Sequence, residues 1–235
     1  MKNLKWLAGG IIVVVVVVIG GIFAIHKIEG GTAKPLTLST VTTTAPADGS
    51  STTAAASSGT PVAVDGTWKV ASGSQAGYRI KETLFGVSNT AVGRTTAVSG
   101  TITISGTTVN AGSLSVDLTK VTSDRSQRDS QFQSRIMDTS SFPTATFVLT
   151  QPIALPTLPA NGVAITATAT GKLTIHGTTK TVTFPVSAQR SSATIQVNGS
   201  IPITFSDYNI SNPSGGPATT GDTGTMEFLV NFTHA

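Results

Sequence analysis

Cysteine is absent from all 235 residues. That absence excludes disulfides, thiol nucleophiles and thiolate metal sites together, so any folded part must be held by its core. Charge is nearly as scarce: 11% of residues are Asp, Glu, Lys or Arg, and the formal net charge is +4. From residue 63 onward eleven basic residues face nine acidic ones. That excess is too small to form an electrostatic footprint for nucleic acid.

Catalytic signatures are missing as well. There is no G-x-S-x-G elbow, no H-E-x-x-H, no Walker loop and no calcium-loop spacing. Of the three histidines, His26 follows an apolar run, His234 is next to the final residue, and only His176 is placed within the body of the chain. A base needs a partner within hydrogen-bond reach, and the sequence around His176 provides none. The reading is a protein that is not an enzyme and needs no metal or cofactor.

Long apolar runs are confined to one place. Residues 7–25, LAGGIIVVVVVVIGGIFAI, carry no charge. At ~1.5 Å per residue they would span roughly the thickness of a bilayer's hydrocarbon core. The run exits through Ala24-Ile25-His26-Lys27 without a small-x-small cleavage pattern, so it reads as an uncleaved transmembrane anchor rather than a signal peptide. Lys2 and Lys5 precede it, so the positive-inside bias places the C-terminal part outside the cytoplasm. The expectation is a single-pass protein of the cell membrane, with residues 1–28 as its anchor. Residues 29–62 are rich in Thr, Ser, Ala, Gly and Pro and poor in large apolar groups. They are expected to form a disordered tether.

Residues 63–235 are written differently. Thr, Val and Ile alternate through VAITATATGKLTIHG (163–177), TKTVTFPVSAQR (179–190), SATIQVNGSIPITF (192–205) and TGTMEFLVNFT (223–233). Period-2 alternation of β-branched residues is strand writing. About eight such runs, bounded by dipeptides such as Asn161-Gly162 and Asn198-Gly199, predict an antiparallel sandwich or barrel. The apolar faces read Ile165, Ala167, Ala169, Leu173, Ile175, then Val182, Phe184, Val186, then Met226, Phe228, Val230, Phe232.

One stretch breaks the pattern. RDSQFQSRIMDTSSFPTATF (128–147) concentrates charge, places Phe132 and Ile136 four apart, and ends in Phe142-Pro143. It predicts a short helix inserted between strands, capped by Ser123 or Asp124 and stopped before the proline. Arg128 and Asp129 would satisfy each other and nearby backbone at the helix start, or form a polar lip for a ligand head group. A hydrolytic alternative would need Asp129 and His176 in one pocket. The Pro/Gly-rich Asn212–Pro217 segment between the last two strands is a candidate mouth loop.

Three stretches resemble the YceI-like family of bacterial polyisoprenoid-binding proteins. They are GTWKVASGSQAGYRIKETLFGVSNTAVGRTTAVSGTITI (66–104), QRDSQFQSRIMDTSSFPTATF (127–147) and GKLTIHGTTKTVTFPV (171–186). The chain departs from the family at Ile136 and Met137, where aromatics are usual, and in FSDYNI (205–210). The resemblance implies an all-β, antiparallel, up-and-down barrel of about eight strands, lipocalin-like, with one short inserted helix. Its interior would carry or sequester a long-chain isoprenoid-type lipid. The implied lining is Phe147, Leu149, Ile165, Ala167, Ala169, Leu173, Ile175, Phe184, Val186, Phe228 and Val230, with Arg128, Asp129 and His176 as head-group or structural polar residues. The alternative is a ligand-free structural or adhesion domain, which asks for large inward side chains on every strand.

Overall fold

A computed structural model describes residues 33–39, 64–191 and 193–235. The expected anchor, residues 7–25, lies outside them, as does most of the expected tether. Among the described residues no helix is long and apolar enough to cross a membrane.

Thirteen strands form the sheet: β1 (Gly66–Val70), β2 (Gln75–Leu84), β3 (Val87–Thr95), β4 (Val98–Ser105), β5 (Thr108–Asp117), β6 (Thr122–Ser123), β7 (Thr144–Leu149), β8 (Ile153–Ala154), β9 (Ile165–Ile175), β10 (Thr178–Arg190), β11 (Thr194–Thr204), β12 (Ala218–Thr220) and β13 (Thr223–His234). Eight of them close in the order β1-β4-β5-β7-β9-β10-β11-β13, with β13 pairing back onto β1. Closure leaves no open edge along that circuit. β1 and β2 follow one another along β13, which pairs β2 at Thr225–Leu229 and β1 at Phe232–His234. β3 and β4 likewise pair β2 and β1 in turn. With each of these pairs taken as one bent strand, every strand neighbours its successor, and the barrel is up-and-down as expected.

The alternation read in the sequence became the inside and outside of the wall. Phe184 faces Ala169 and Val186 faces Ala167 across β10 and β9, and Val230 and Phe232 on β13 are fully buried. Two apolar clusters fill the interior. One gathers around Trp68, Ile104, Ile195, Val230 and Phe232 near the β1–β13 seam. The other runs from Ala169, Leu173 and Phe184 through Ile201 and Ile203 to Leu118, Val121, Phe132 and Met137 under the inserted helix.

One expected turn is not a turn. Asn198-Gly199 sits in the middle of β11, paired to Leu229 and Phe228 of β13. Its glycine serves packing: a Cβ there would lie 2.7 Å from the Phe228 ring. The dipeptide signals a hairpin only where the backbone can take positive φ at both positions, and here the ladder holds it extended.

Residues 34–39 run against the outer wall of the barrel. The Arg94 guanidinium donates to the Lys34 carbonyl, the Leu36 amide points at Glu227 (3.4 Å), and Asn198 donates to the Leu36 carbonyl at 3.1 Å. The Ser39 amide donates to Gln196 at 2.7 Å, and Gln189 donates to the Ser39 carbonyl at 2.7 Å. Beneath this segment Glu227, 5% exposed, receives Arg94 at 2.7 Å and Arg79 at 3.4 Å. The sequence offered no sign of this cluster, because its members are 133 and 148 residues apart.

Candidate ligand cavity

Between β5 and β7 the chain leaves the wall and forms the inserted helix. It is shorter than its pattern suggests: α1 spans Ser126–Gln131 and continues as one π-helical turn, Phe132–Ile136. The Met137 amide donates to the Phe132 carbonyl at 2.9 Å, five residues back. That widening turns Phe132 and Met137 into the barrel, where both are buried. Asp138 closes the turn at φ 41°. Hydrogen bonds from Ser140 and Ser141 hold its carboxyl below the ordinary range.

The expected pairing of Arg128 with Asp129 does not form. Asp129 accepts from the Ser123 amide at 2.8 Å and the Ser123 hydroxyl at 2.6 Å, so it caps the preceding loop. The Ser123 hydroxyl in turn accepts from the Arg125 amide at 3.2 Å, and Arg125, the residue at the helix N-cap, makes no side-chain capping bond. Arg128 turns the other way, donating to Glu82 of β2 at 2.9 Å and to Asp124. Asp129 thus fastens the helix to its own loop, and Arg128 fastens it both to that loop and to the barrel wall.

Among the described residues two adjoining cavities lie within the barrel. The outer one, about 670 Å³, opens at the end crossed by the helix. Tyr78, Ile80, Phe132, Ile175, Ile203 and Phe205 form its apolar walls. Arg125, Arg128 and Arg135 stand at the helix side, and Pro213–Pro217, the expected mouth loop, borders the other side. Arg135 ties the two sides together by donating to the Pro213 carbonyl at 3.0 Å. The inner cavity, about 190 Å³, is lined by Phe147, Leu149, Ile165, Ala167, Ala169, Leu173, Phe184, Val186, Phe228 and Val230 among others. Ala76, Val116, Ala145 and Met226 border both cavities.

Ten of the eleven apolar residues named from the sequence thus surround the inner cavity, and the eleventh, Ile175, lines the outer one. Of the polar three, only Arg128 borders a cavity. His176 and Gly177 form the two-residue turn between β9 and β10, with φ of 49° and 72°. The His176 ring packs on Phe142 (centroids 4.6 Å apart), and its Nδ1 lies 3.3 Å from the Tyr208 carbonyl. Positive φ at both central residues is the type I′ signature, which explains the H-G pair structurally. Asp129 and His176 border neither cavity, so the hydrolytic alternative loses the shared pocket it requires. Among the described residues no group of three or more metal-ligating side chains converges.

The outer cavity was harder to find in the sequence. Its walls come from β2, the helix, the end of β11 and the Asn212–Thr220 stretch, which only the closed barrel brings together. Tyr78 is its most perturbed member. Burial, set against the nearby Arg128 charge and reinforced by Asp129, Asp124 and Glu82, pushes its phenol well above the ordinary tyrosine value. Its ring stacks on Phe132 at 5.1 Å. The folded protein therefore holds this proton more tightly than the unfolded chain. The resulting stability is complete below about pH 10 and is lost as pH rises beyond it toward the folded value. Alkaline unfolding is expected to show this loss in the parent and much less of it in Tyr78→Phe, with phenolate absorbance as the second readout. Identical alkaline curves would remove Tyr78 from that role.

A sequence profile described as the YceI-like domain matches residues 68–232. Solved structures resemble the chain in fold. A polyisoprenoid binding domain from Saccharophagus degradans, implicated in plant cell wall breakdown, aligns with a TM-score of 0.58 at 17% identity, covering 72% of this chain and 99% of that one. Burkholderia cenocepacia BcnA aligns with a TM-score of 0.53 at 22% identity, covering 67% and 95%. The Campylobacter jejuni YCEI protein aligns with a TM-score of 0.50 at 16% identity, covering 61% and 84%. No curated protein matches the sequence.

Proposed function

The chain belongs to the YceI-like domain family, and from that premise we propose that it binds one long apolar lipid of the isoprenoid class inside the barrel. The observation that carries the reading is the pair of adjoining apolar cavities. An eight-stranded barrel has an interior just wide enough to be filled by side chains or to hold one small ligand. Here small residues at Ala76, Ala145, Ala167 and Ala169 leave it open, which disfavours the ligand-free alternative. The two volumes, about 670 and 190 Å³, together fall in the roughly 300–1,000 Å³ range of small-molecule sites. Each buried methylene contributes about 0.8 kcal/mol, and association costs about 4–15 kcal/mol. Long chains therefore bind usefully without a charged contact, and short ones bind weakly. The Saccharophagus degradans domain, described as polyisoprenoid binding, supports the same class.

The uncharged run 7–25 supports a membrane-tethered placement, with the barrel outside the cytoplasm. In that setting the protein carries or sequesters a membrane lipid. Native mass spectrometry of the full chain in detergent, after exposure to a long-chain polyprenol, tests the binding. A one-to-one adduct that survives detergent exchange is expected. An interior that accepts no polyprenol, and yields no lipid on organic extraction, would overturn the reading.

A further inference from the structure

The β2–β3 hairpin turns through Phe85-Gly86, with φ of 50° and 81°. This is the same type I′ geometry as His176-Gly177, and Asn or Asp is the favoured first residue there because a larger L-residue is strained at positive φ. In the His176 turn the strained ring packs against Phe142. In the Phe85 turn the ring is left out: Phe85 is 69% exposed and the following Val87 43%. A strained, outward-facing phenylalanine costs stability and solubility in water, so a use at that position is called for.

Its place supplies the use. Phe85 and Leu84 border the outer cavity, and the Phe85 amide donates to the Pro217 carbonyl of the mouth loop at 3.2 Å. The tip is therefore part of the mouth, and whatever surface it enters becomes continuous with the cavity. Arg125 and Arg135 border the same cavity, Arg125 beside Asp124 at 3.9 Å and Arg135 held by Gln131 and the Pro213 carbonyl. A long apolar chain pays for every methylene drawn through water, so a mouth that receives one has to meet the lipid phase directly.

We propose that the Phe85–Val87 tip inserts into a phospholipid bilayer and sets the cavity mouth on the membrane surface. The purpose rests on the lipid-binding reading; the insertion itself is measured independently of any cargo. Because the chain has no cysteine, Val87→Cys and, at the opposite end of the barrel, Ser105→Cys each create a single labelling site. The full chain carrying an environment-sensitive fluorophore at one site or the other is reconstituted in phosphatidylcholine/phosphatidylglycerol vesicles containing brominated acyl chains. Quenching at position 87 and none at 105 is expected. Adding Phe85→Asn should weaken the quenching at 87 about tenfold, the order set by exposing one large aromatic side chain. Phe85→Trp should preserve it. Since Asn-Gly suits the turn, Phe85→Asn should unfold no earlier than the parent, which separates lost insertion from lost fold. No quenching at 87, equal quenching at both sites, or indifference to Phe85→Asn would overturn the proposal. A parent that inserts its tip yet accepts no polyprenol would sink the cargo reading and leave the insertion standing.

Discussion

Glu227→Ala is expected to destabilise the barrel by about 3 kcal/mol, because it leaves two guanidinium groups on a covered wall without their carboxylate. Glu227 projects from the outer face of β13 and is 5% exposed, beneath the segment that begins at Lys34. Arg94 reaches it through Nε at 3.2 Å and Nη2 at 2.7 Å, and Arg79 through Nε and Nη2, both at 3.4 Å. Exposure of about a fifth for each arginine places the loss at the lower end of the ~3–5 kcal/mol known for broken buried pairs. For a domain of this size that corresponds to a melting temperature lowered by about 10 °C. Urea unfolding should show a lower midpoint at an unchanged slope, and Glu227→Gln, which keeps an acceptor but no charge, should fall between. The same change removes the acceptor of the Leu36 amide, so cleavage within residues 34–39 should quicken under limited proteolysis. A midpoint within about 0.5 kcal/mol of the parent, the usual range for surface substitutions, would show that the cluster does not hold the wall.

Ala167→Phe is expected to close the inner cavity and abolish discrimination in favour of long chains. Ala167 is half-buried on β9, opposite Val186, and borders the inner cavity alone. A phenyl ring there occupies space that is open, so the overpacking penalty of about 1–3 kcal/mol that a filled core would impose should be largely avoided. Loss of burial for about six chain methylenes forgoes on the order of 5 kcal/mol gross. Affinity for a long polyprenol should therefore fall by up to about a thousandfold. Chains short enough for the outer cavity should bind as they do to the parent. Competition between long and short polyprenols, read by native mass spectrometry, measures the ratio. Equal weakening of both, or of neither, would remove the inner cavity from the binding path. Met226→Ala acts in the opposite direction, since Met226 borders both cavities, and widening that neck should favour bulkier chains.

The inner lining was legible because strand alternation is local. Thr166, Thr168 and Thr170 alternate with Ala167, Ala169 and Gly171, so β9 declares its two faces before any partner is known. β10 and β13 do the same. The helix was legible in place but not in detail. Phe132 and Ile136 marked its inner face, whereas the switch to π geometry after Gln131 left no sign in the pattern, and the divergence of Arg128 from Asp129 involves Glu82, 46 residues away. Asn198-Gly199 misled because the turn signal is a conformational permission, and the β11–β13 ladder overrode it.

By itself, then, the chain determined its strand periods, the inward identity of those faces and the location of the one helical interruption, since each is written within a few neighbouring residues. It also excluded thiol chemistry through its composition. Only the tertiary structure decided that β13 meets both β1 and β11, that Ala76, Val116, Ala145 and Met226 stand where the two cavities adjoin, that Glu227 lies between Arg79 and Arg94, and that Phe85 stands at the mouth. All of these are contacts between residues far apart in sequence, and no local pattern encodes which distant partner a strand edge, a carboxylate or a hairpin tip will find.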